Sequence, residues 1–205
     1  MRRSLLVLVA LALLGGCGSD DADEAAAPQP VTVTQTVTET QAATTEPEVA
    51  CSTAAVRLTL PDQELPPAVA DLRKRVFDAA VACDYDTLEQ IALEKGAGFT
   101  FSYGGGTDAS AFWRDVEESA TESPLPMLTL ATILTMPFTR NESGSYAWPT
   151  AYSENPTEES WQALVDAGLY SQETVDAMKE QGTGYLGYRT AITADGDWQF
   201  FVAGD

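Results

Sequence analysis

Among 205 residues the chain has no histidine, three cysteines, 31 Asp and Glu, and 11 Lys and Arg. Without histidine there is no Ser-His-Asp or Cys-His relay and no histidine-ligated zinc, haem or iron. Acid chemistry by paired carboxylates is what remains, but 24 acids lie in residues 51–205 and no spacing singles out a pair. Asp195-Gly196-Asp197 has the start of a calcium loop without the spaced ligands or distal glutamate, and reads as a turn. Gly104-Gly105-Gly106 is not followed by Lys-Ser or Lys-Thr, so it reads as a tight connection rather than a phosphate cradle. Arg73-Lys74-Arg75, the only basic cluster, reads as a solvated helix face. No catalytic residue, cofactor or metal site is expected. The candidates left for ligand contact are Trp113, Trp148, Tyr152, Trp161, Tyr185 and Tyr188, with Arg189, which compete with the core for the same aromatic residues.

Charge narrows the partners. The formal net charge is −20, which argues against nucleic acid because phosphate binding needs a basic surface. The partners expected are a membrane, reached through a lipid, and an envelope protein or small molecule. Residues 1–16 combine Arg2 and Arg3, an apolar run from Leu5 to Leu14 and two glycines, the three parts of a secretory signal too short to span a bilayer. Leu14-Gly15-Gly16-Cys17 resembles a bacterial lipobox, which implies cleavage before Cys17 and a diacylglycerol on its thiol, with further acylation such as palmitate. Two or more buried acyl chains, at about 0.8 kcal/mol per methylene, give stable anchoring without a spanning helix. The expected location is the extracytoplasmic side of the cell membrane.

Residues 17–50 carry seven acids, no base and little apolar bulk, and are expected to form a disordered linker. As a coil such a linker spans roughly 30 Å, and at most about 110 Å fully stretched. A lipobox followed by a Thr/Glu-rich tether is similar to lipoproteins of high-GC Gram-positive bacteria. In an exported chain the remaining Cys51 and Cys83 read first as a disulfide, with a buried free thiol at Cys83 as the alternative.

All four tryptophans and all fourteen Tyr and Phe lie in residues 51–205, where a single globular α+β domain is expected. Its helices pack on an antiparallel sheet that ends in a C-terminal β-hairpin. After Pro66-Pro67, the residues Val69, Leu72, Val76, Ala79 and Cys83 recur at helical spacing. Asp84 or Asp86 caps a second helix through Leu88 and Ile91, stopped by Gly96. Phe99, Phe101 and Tyr103 alternate as a strand, and Asp108 caps a helix holding Phe112, Trp113 and Val116. LPMLTLATILTM is a buried helix ending before Pro137. Residues 138–140 and 146–148 flank a hairpin turn. Asn155 opens a helix through Trp161 and Leu164 to Gly168, and Ser171 caps another that ends at Gly182, with Tyr170 and Val175 as a hydrophobic staple.

For the last hairpin, a three-residue loop with Gly196 left-handed places Leu186, Tyr188, Thr190 and Ile192 on one face with Trp198, Phe200 and Val202. Arg189, Gln199, Phe201 and Asp205 fall on the other face. The ending YLGYR…DGDWQFFVAGD, with WPTAY after Tyr146, resembles a group of exported bacterial proteins without assigned activity, over most of Leu65 to Asp205. That resemblance transfers no catalytic residue. The early order of paired helices, strand and helix resembles nuclear-transport-factor-2-like cone folds, which implies a small-molecule pocket; the two helices before the last hairpin depart from it. The function expected is a non-enzymatic, lipid-anchored binding domain, with a small-ligand-binding cone and an Asp/Glu-dependent enzyme as alternatives.

Overall fold

The computed structural model describes residues 51–95, 98–119 and 124–204, all within one unit of the chain. The signal segment, Cys17, the linker and the Gly96 helix stop lie outside these residues. The domain begins with a covalent tie: Cys51 and Cys83 form a disulfide, their Cα atoms 5.7 Å apart across 32 positions of sequence. Beside it, Thr53 Oγ1 donates to Val81 O at 2.6 Å, satisfying a carbonyl in the last turn of the first helix.

That helix, α1 (Pro67–Val81), has proline in its first turn and buries Val69, Leu72, Val76, Phe77 and Ala80. The basic triplet does not form one solvated face. Lys74 and Arg75 are on the surface, paired with Asp78 and Glu94, but Arg73 is only 3% exposed. Its Nε and Nη2 donate to Leu134 O at 3.0 and 2.6 Å, and Nη1 to Pro61 O at 3.0 Å. Position 73 lies between Val69 and Phe77 on the helical wheel, so its stem is carried inward and its fork meets carbonyls left over by other elements.

Helix α2 (Tyr85–Leu93) is capped by Asp84, whose side chain accepts from Thr87 N–H. Asp108 likewise accepts from Ala111 N–H at the start of α3 (Ala109–Ser119). Helix α4 (Pro126–Thr135) is apolar nearly all round because α1, α3 and the sheet all pack on it; Met127, Leu130, Ile133 and Leu134 are fully buried. Each such side chain contributes about 1.5–3 kcal/mol of transfer free energy.

Four antiparallel strands follow in the order β1 (Thr139–Arg140), β2 (Tyr146–Trp148), β3 (Arg189–Ile192) and β4 (Trp198–Val202). Between β2 and β3 lie a 3-10 turn at Thr150–Tyr152, α5 (Glu158–Asp166) and α6 (Gln172–Gln181), the last two packed on each other. Helix α5 starts later than its sequence suggests. Thr157, not Asn155, is the cap, accepting from Ser160 N–H with Glu158 and Glu159 in the first turn. Ser171 caps α6, and Gly182 ends it in the left-handed conformation.

The residues from Phe99 to Tyr103 make no full strand. One parallel bridge, from Thr100 to Phe200, attaches them to the outer edge of β4, and the glycines that follow turn the chain away. Phe99 and Phe101 still share a side, both packing on Trp113.

The last hairpin has the three-residue loop: Thr193 N–H bonds Asp197 O, and Gly196 has φ +75°. A side chain at Gly196 would also meet Ala68 O at 2.9 Å, where the loop abuts α1. Ile192 pairs with Trp198 as expected, but a bulge follows, and Ala191 then pairs with Phe200 and Thr190 with Phe201. Phe201 therefore faces inward with Trp198, while Phe200 and Val202 join Arg189 on the other face. Trp198 and Phe201 are three residues apart, and strict alternation would put one of them outside; the bulge lets both reach the core. Trp198 Nε1–H donating to Thr190 Oγ1 at 2.7 Å, and Tyr188 stacked on Phe201, record the shared face.

Candidate functional site

The start of β3 gathers the domain's least ordinary polar arrangement. Arg189 is 7% exposed and projects from the face opposite Trp198. Its Nη2 donates to Gly204 O at 2.7 Å and to the Tyr103 hydroxyl at 3.0 Å, and Nη1 donates to Gly187 O at 3.2 Å. Its guanidinium carbon lies 5.2 Å from the ring centre of Tyr152 and 5.9 Å from that of Tyr103. All these partners are uncharged, and they fix a planar cation between two aromatic side chains.

A second knot of hydroxyls lies against it. Tyr185 donates to Tyr188 O at 2.9 Å, and Tyr188 N–H donates to the Tyr170 hydroxyl at 3.3 Å. The two phenols close over Gly187, where a Cβ would overlap the hydroxyl oxygens of both. Burial pushes the Tyr188 phenol up to about 12 and raises Tyr170 and Tyr185 as well. These hydroxyls stay protonated at neutral pH.

Two openings flank this cluster. On one side an open polar cleft of about 580 Å³ runs between the β1–β2 turn and the chain leaving α6; Arg140, Glu142, Tyr152, Glu154, Thr183 and Tyr185 are among its walls. On the other, a groove of about 280 Å³ is lined by Phe101, Tyr103, Phe112 and Tyr188, with Gly104 and Ala203 at its rim. Arg189 touches one wall of each, through Tyr152 and Tyr103.

The seven residues singled out by sequence are thus divided. Trp113 and Trp148 are fully buried and Trp161 is 4% exposed, so these three belong to the core and present no surface to a ligand. Trp148 Nε1–H reaches Gln63 Oε1 at 3.3 Å, and Trp161 packs edge-on against Tyr185. Tyr152 and Tyr185 wall the cleft, Tyr188 walls the groove, and Arg189 lies between. Sequence reasoning missed Phe101, Tyr103, Phe112 and Arg140. Tyr103 had one signal: an aromatic immediately before three glycines has no neighbouring side chains to bury it, and it is 56% exposed.

Among the described residues the one buried acid is Glu117, and it lines neither opening. Its Oε1 accepts from Met127 N–H at 2.7 Å and from Ser52 Oγ–H at 3.0 Å, while Ser52 Oγ accepts from Leu128 N–H. Together they cap α4, which has no capping side chain of its own. Oε2 has no partner among the described residues, and burial raises the carboxyl's pKa against those hydrogen bonds. Asp86, by contrast, is held below the usual carboxylate range by Arg114 and Ser110. No cluster of three or more Cys, Asp or Glu among the described residues is placed to hold a metal. Comparison of the chain with protein-family models, curated proteins and solved structures finds no match.

Proposed function

We propose that this is an exported, lipid-anchored binding protein of the cell envelope, held by acylated Cys17 and recognising an envelope component through the two openings beside Arg189. The observation that carries the reading is the fixed pair of rings: a buried arginine, whose partners among the described residues are uncharged oxygens, holds Tyr103 and Tyr152 on the walls of two solvent-open recesses. Ordering those side chains before the partner arrives removes an entropy cost from binding. Open recesses also suit a partner larger than the site, since the centre of the fold is filled by Trp113, Trp148 and Phe201. The proposed anchor is the lipid on Cys17; among the described residues no helix is long and apolar enough to cross a membrane.

Two measurements test this. Mass spectrometry of the native protein is expected to find a diacylated Cys17 at the mature N-terminus; an unmodified N-terminal peptide, or a Cys17→Ala protein still in the membrane fraction, refutes the anchor. The mature chain in detergent micelles is expected to co-sediment saturably with isolated envelope fragments and to lose this on Tyr103→Ala. Equal sedimentation of wild type and variant refutes the site.

A further inference from the structure

We propose that the ligand of this site is a glycan chain without negative charge, one sugar ring stacked on Tyr103 in the aromatic groove and the chain continuing into the polar cleft. The inference rests on the binding role proposed above and adds the chemical class of the partner.

The groove offers flat rings, Phe101, Tyr103, Phe112 and Tyr188, beside Ser102, Gly104 and Ala203. Tyr103 exposes more than half its surface, and the phenol that holds it points back to Arg189, so its ring is presented to solvent in one orientation. An exposed ring of fixed orientation matches the apolar C–H face of a saccharide, which needs a platform rather than an enclosing socket. Gly104, the residue after Tyr103, adds no side chain to the groove.

The cleft supplies the complementary chemistry. Asn141, Ser143, Ser153 and Thr183 present both donors and acceptors, Arg140 adds donors, and Glu142 and Glu154 add acceptors. A sugar hydroxyl is itself donor and acceptor, and such a mixed wall pairs with many of them at once. The guanidinium of Arg189 lies 5.9 and 5.2 Å from the two ring centres, so these are at most about 11 Å apart, within the reach of a short oligomer.

Charge decides the kind of glycan. The cleft's lining includes two carboxylates, Glu142 and Glu154, and one guanidinium, Arg140, and residues 51–205 carry 24 acids against nine bases. A polyanion would meet repulsion on approach and inside the cleft; an uncharged or amino-bearing chain would not.

The test is calorimetric titration of the mature chain, in detergent micelles, with neutral N-acetylated amino-sugar oligomers and with uronic-acid oligomers of equal length. Saturable binding of the neutral series is expected, with the uronic series weaker by tenfold or more at low salt. Tyr103→Ala should weaken the neutral series about tenfold, the scale of one aromatic contact, while Tyr103→Phe, which keeps the ring and loses only its bond to Arg189, should weaken it by less than Tyr103→Ala but measurably. Circular dichroism checks that each variant is folded, which is expected for so exposed a position. Absence of saturable binding to neutral oligomers, preference for the uronic series, or indifference to Tyr103→Ala overturns the proposal. If Tyr103-dependent sedimentation with envelope fragments survives while every oligosaccharide fails, the glycan is wrong and the binding role stands; an extended peptide is then the ligand to try. If both fail, both readings fall.

Discussion

Arg73→Met separates three adjacent basic residues that look equivalent in sequence. Methionine matches the length of the arginine stem but offers no donor. The substitution would leave Leu134 O, in the last turn of α4, and Pro61 O without the three hydrogen bonds they now receive. A buried acceptor deprived of its partner costs about 1–3 kcal/mol. Part of that is offset, because burial already disfavours the charged guanidinium, lowering its pKa from the ordinary arginine value with Asp62 acting the other way. Loss of the contact with Trp148, 5.8 Å from the guanidinium carbon, adds to the cost. The expected net loss is about 2–3 kcal/mol, equivalent to a fall in Tm of roughly 5–10 °C for a domain of this size. Urea and thermal unfolding at pH 7 measure it. Lys74→Met and Arg75→Met are the internal controls; they break only surface ion pairs and should each stay within about 0.5 kcal/mol of wild type. Arg73→Lys should recover only a fraction, since one ammonium cannot reach both carbonyls. If Arg73→Met is as silent as its two neighbours, then the guanidinium is not what ties α1 to α4, and the packing account of this corner is wrong.

Three further outcomes are expected. Glu117→Gln keeps the acceptor for Met127 N–H and removes a buried charge; because burial raises the native carboxyl's pKa, the cost of ionisation is full above that value and is lost as pH falls from it to the carboxyl's unfolded value. The variant should exceed wild type by about 1 kcal/mol at pH 8 and match it at pH 4 in urea titrations; a constant difference at both pH values would discount the ionisation. Removing the disulfide with Cys51→Ala and Cys83→Ala should cost about 3–4 kcal/mol on the loop-entropy model, and unchanged unfolding of the double variant would show that the tie adds nothing. Gly187→Ala should lower stability by about 1–3 kcal/mol, because its Cβ displaces the Tyr170 and Tyr185 hydroxyls, with a normal melting curve contradicting the close approach seen there.

Local signals were legible wherever one residue type has one physical use. Asp108 and Ser171 cap their helices because a short polar side chain at those positions satisfies an otherwise orphaned N–H. The wholly apolar run of α4 had to be buried, and two cysteines left over in an otherwise cysteine-poor domain had few partners but each other. Thr157 took the capping role from Asn155 because two oxygen-bearing residues stood within reach of the same helix start, and sequence does not rank them. The strand expected at Phe99–Tyr103 shrank to one bridge because alternation shows a shared side but not whether a neighbouring strand runs alongside.

What the sequence determined by itself is what depends on composition and short range: the missing histidine chemistry, the acidic composition, the helix caps at Asp84, Asp108 and Ser171, the hairpin loop with its left-handed glycine, and the α+β class. Tertiary structure alone decided which apolar and charged residues face what. Trp113, Trp148 and Trp161 went to the core while Tyr103 stayed outside, Arg73 turned inward while Arg75 did not, and the bulge after Trp198 exchanged Phe200 for Phe201. Aromatic and arginine side chains are both apolar and polar, so their local pattern fits burial and exposure equally well. The partners that decide between the two are far away in sequence: Arg189 meets Tyr103 across 86 positions and Arg73 meets Leu134 across 61.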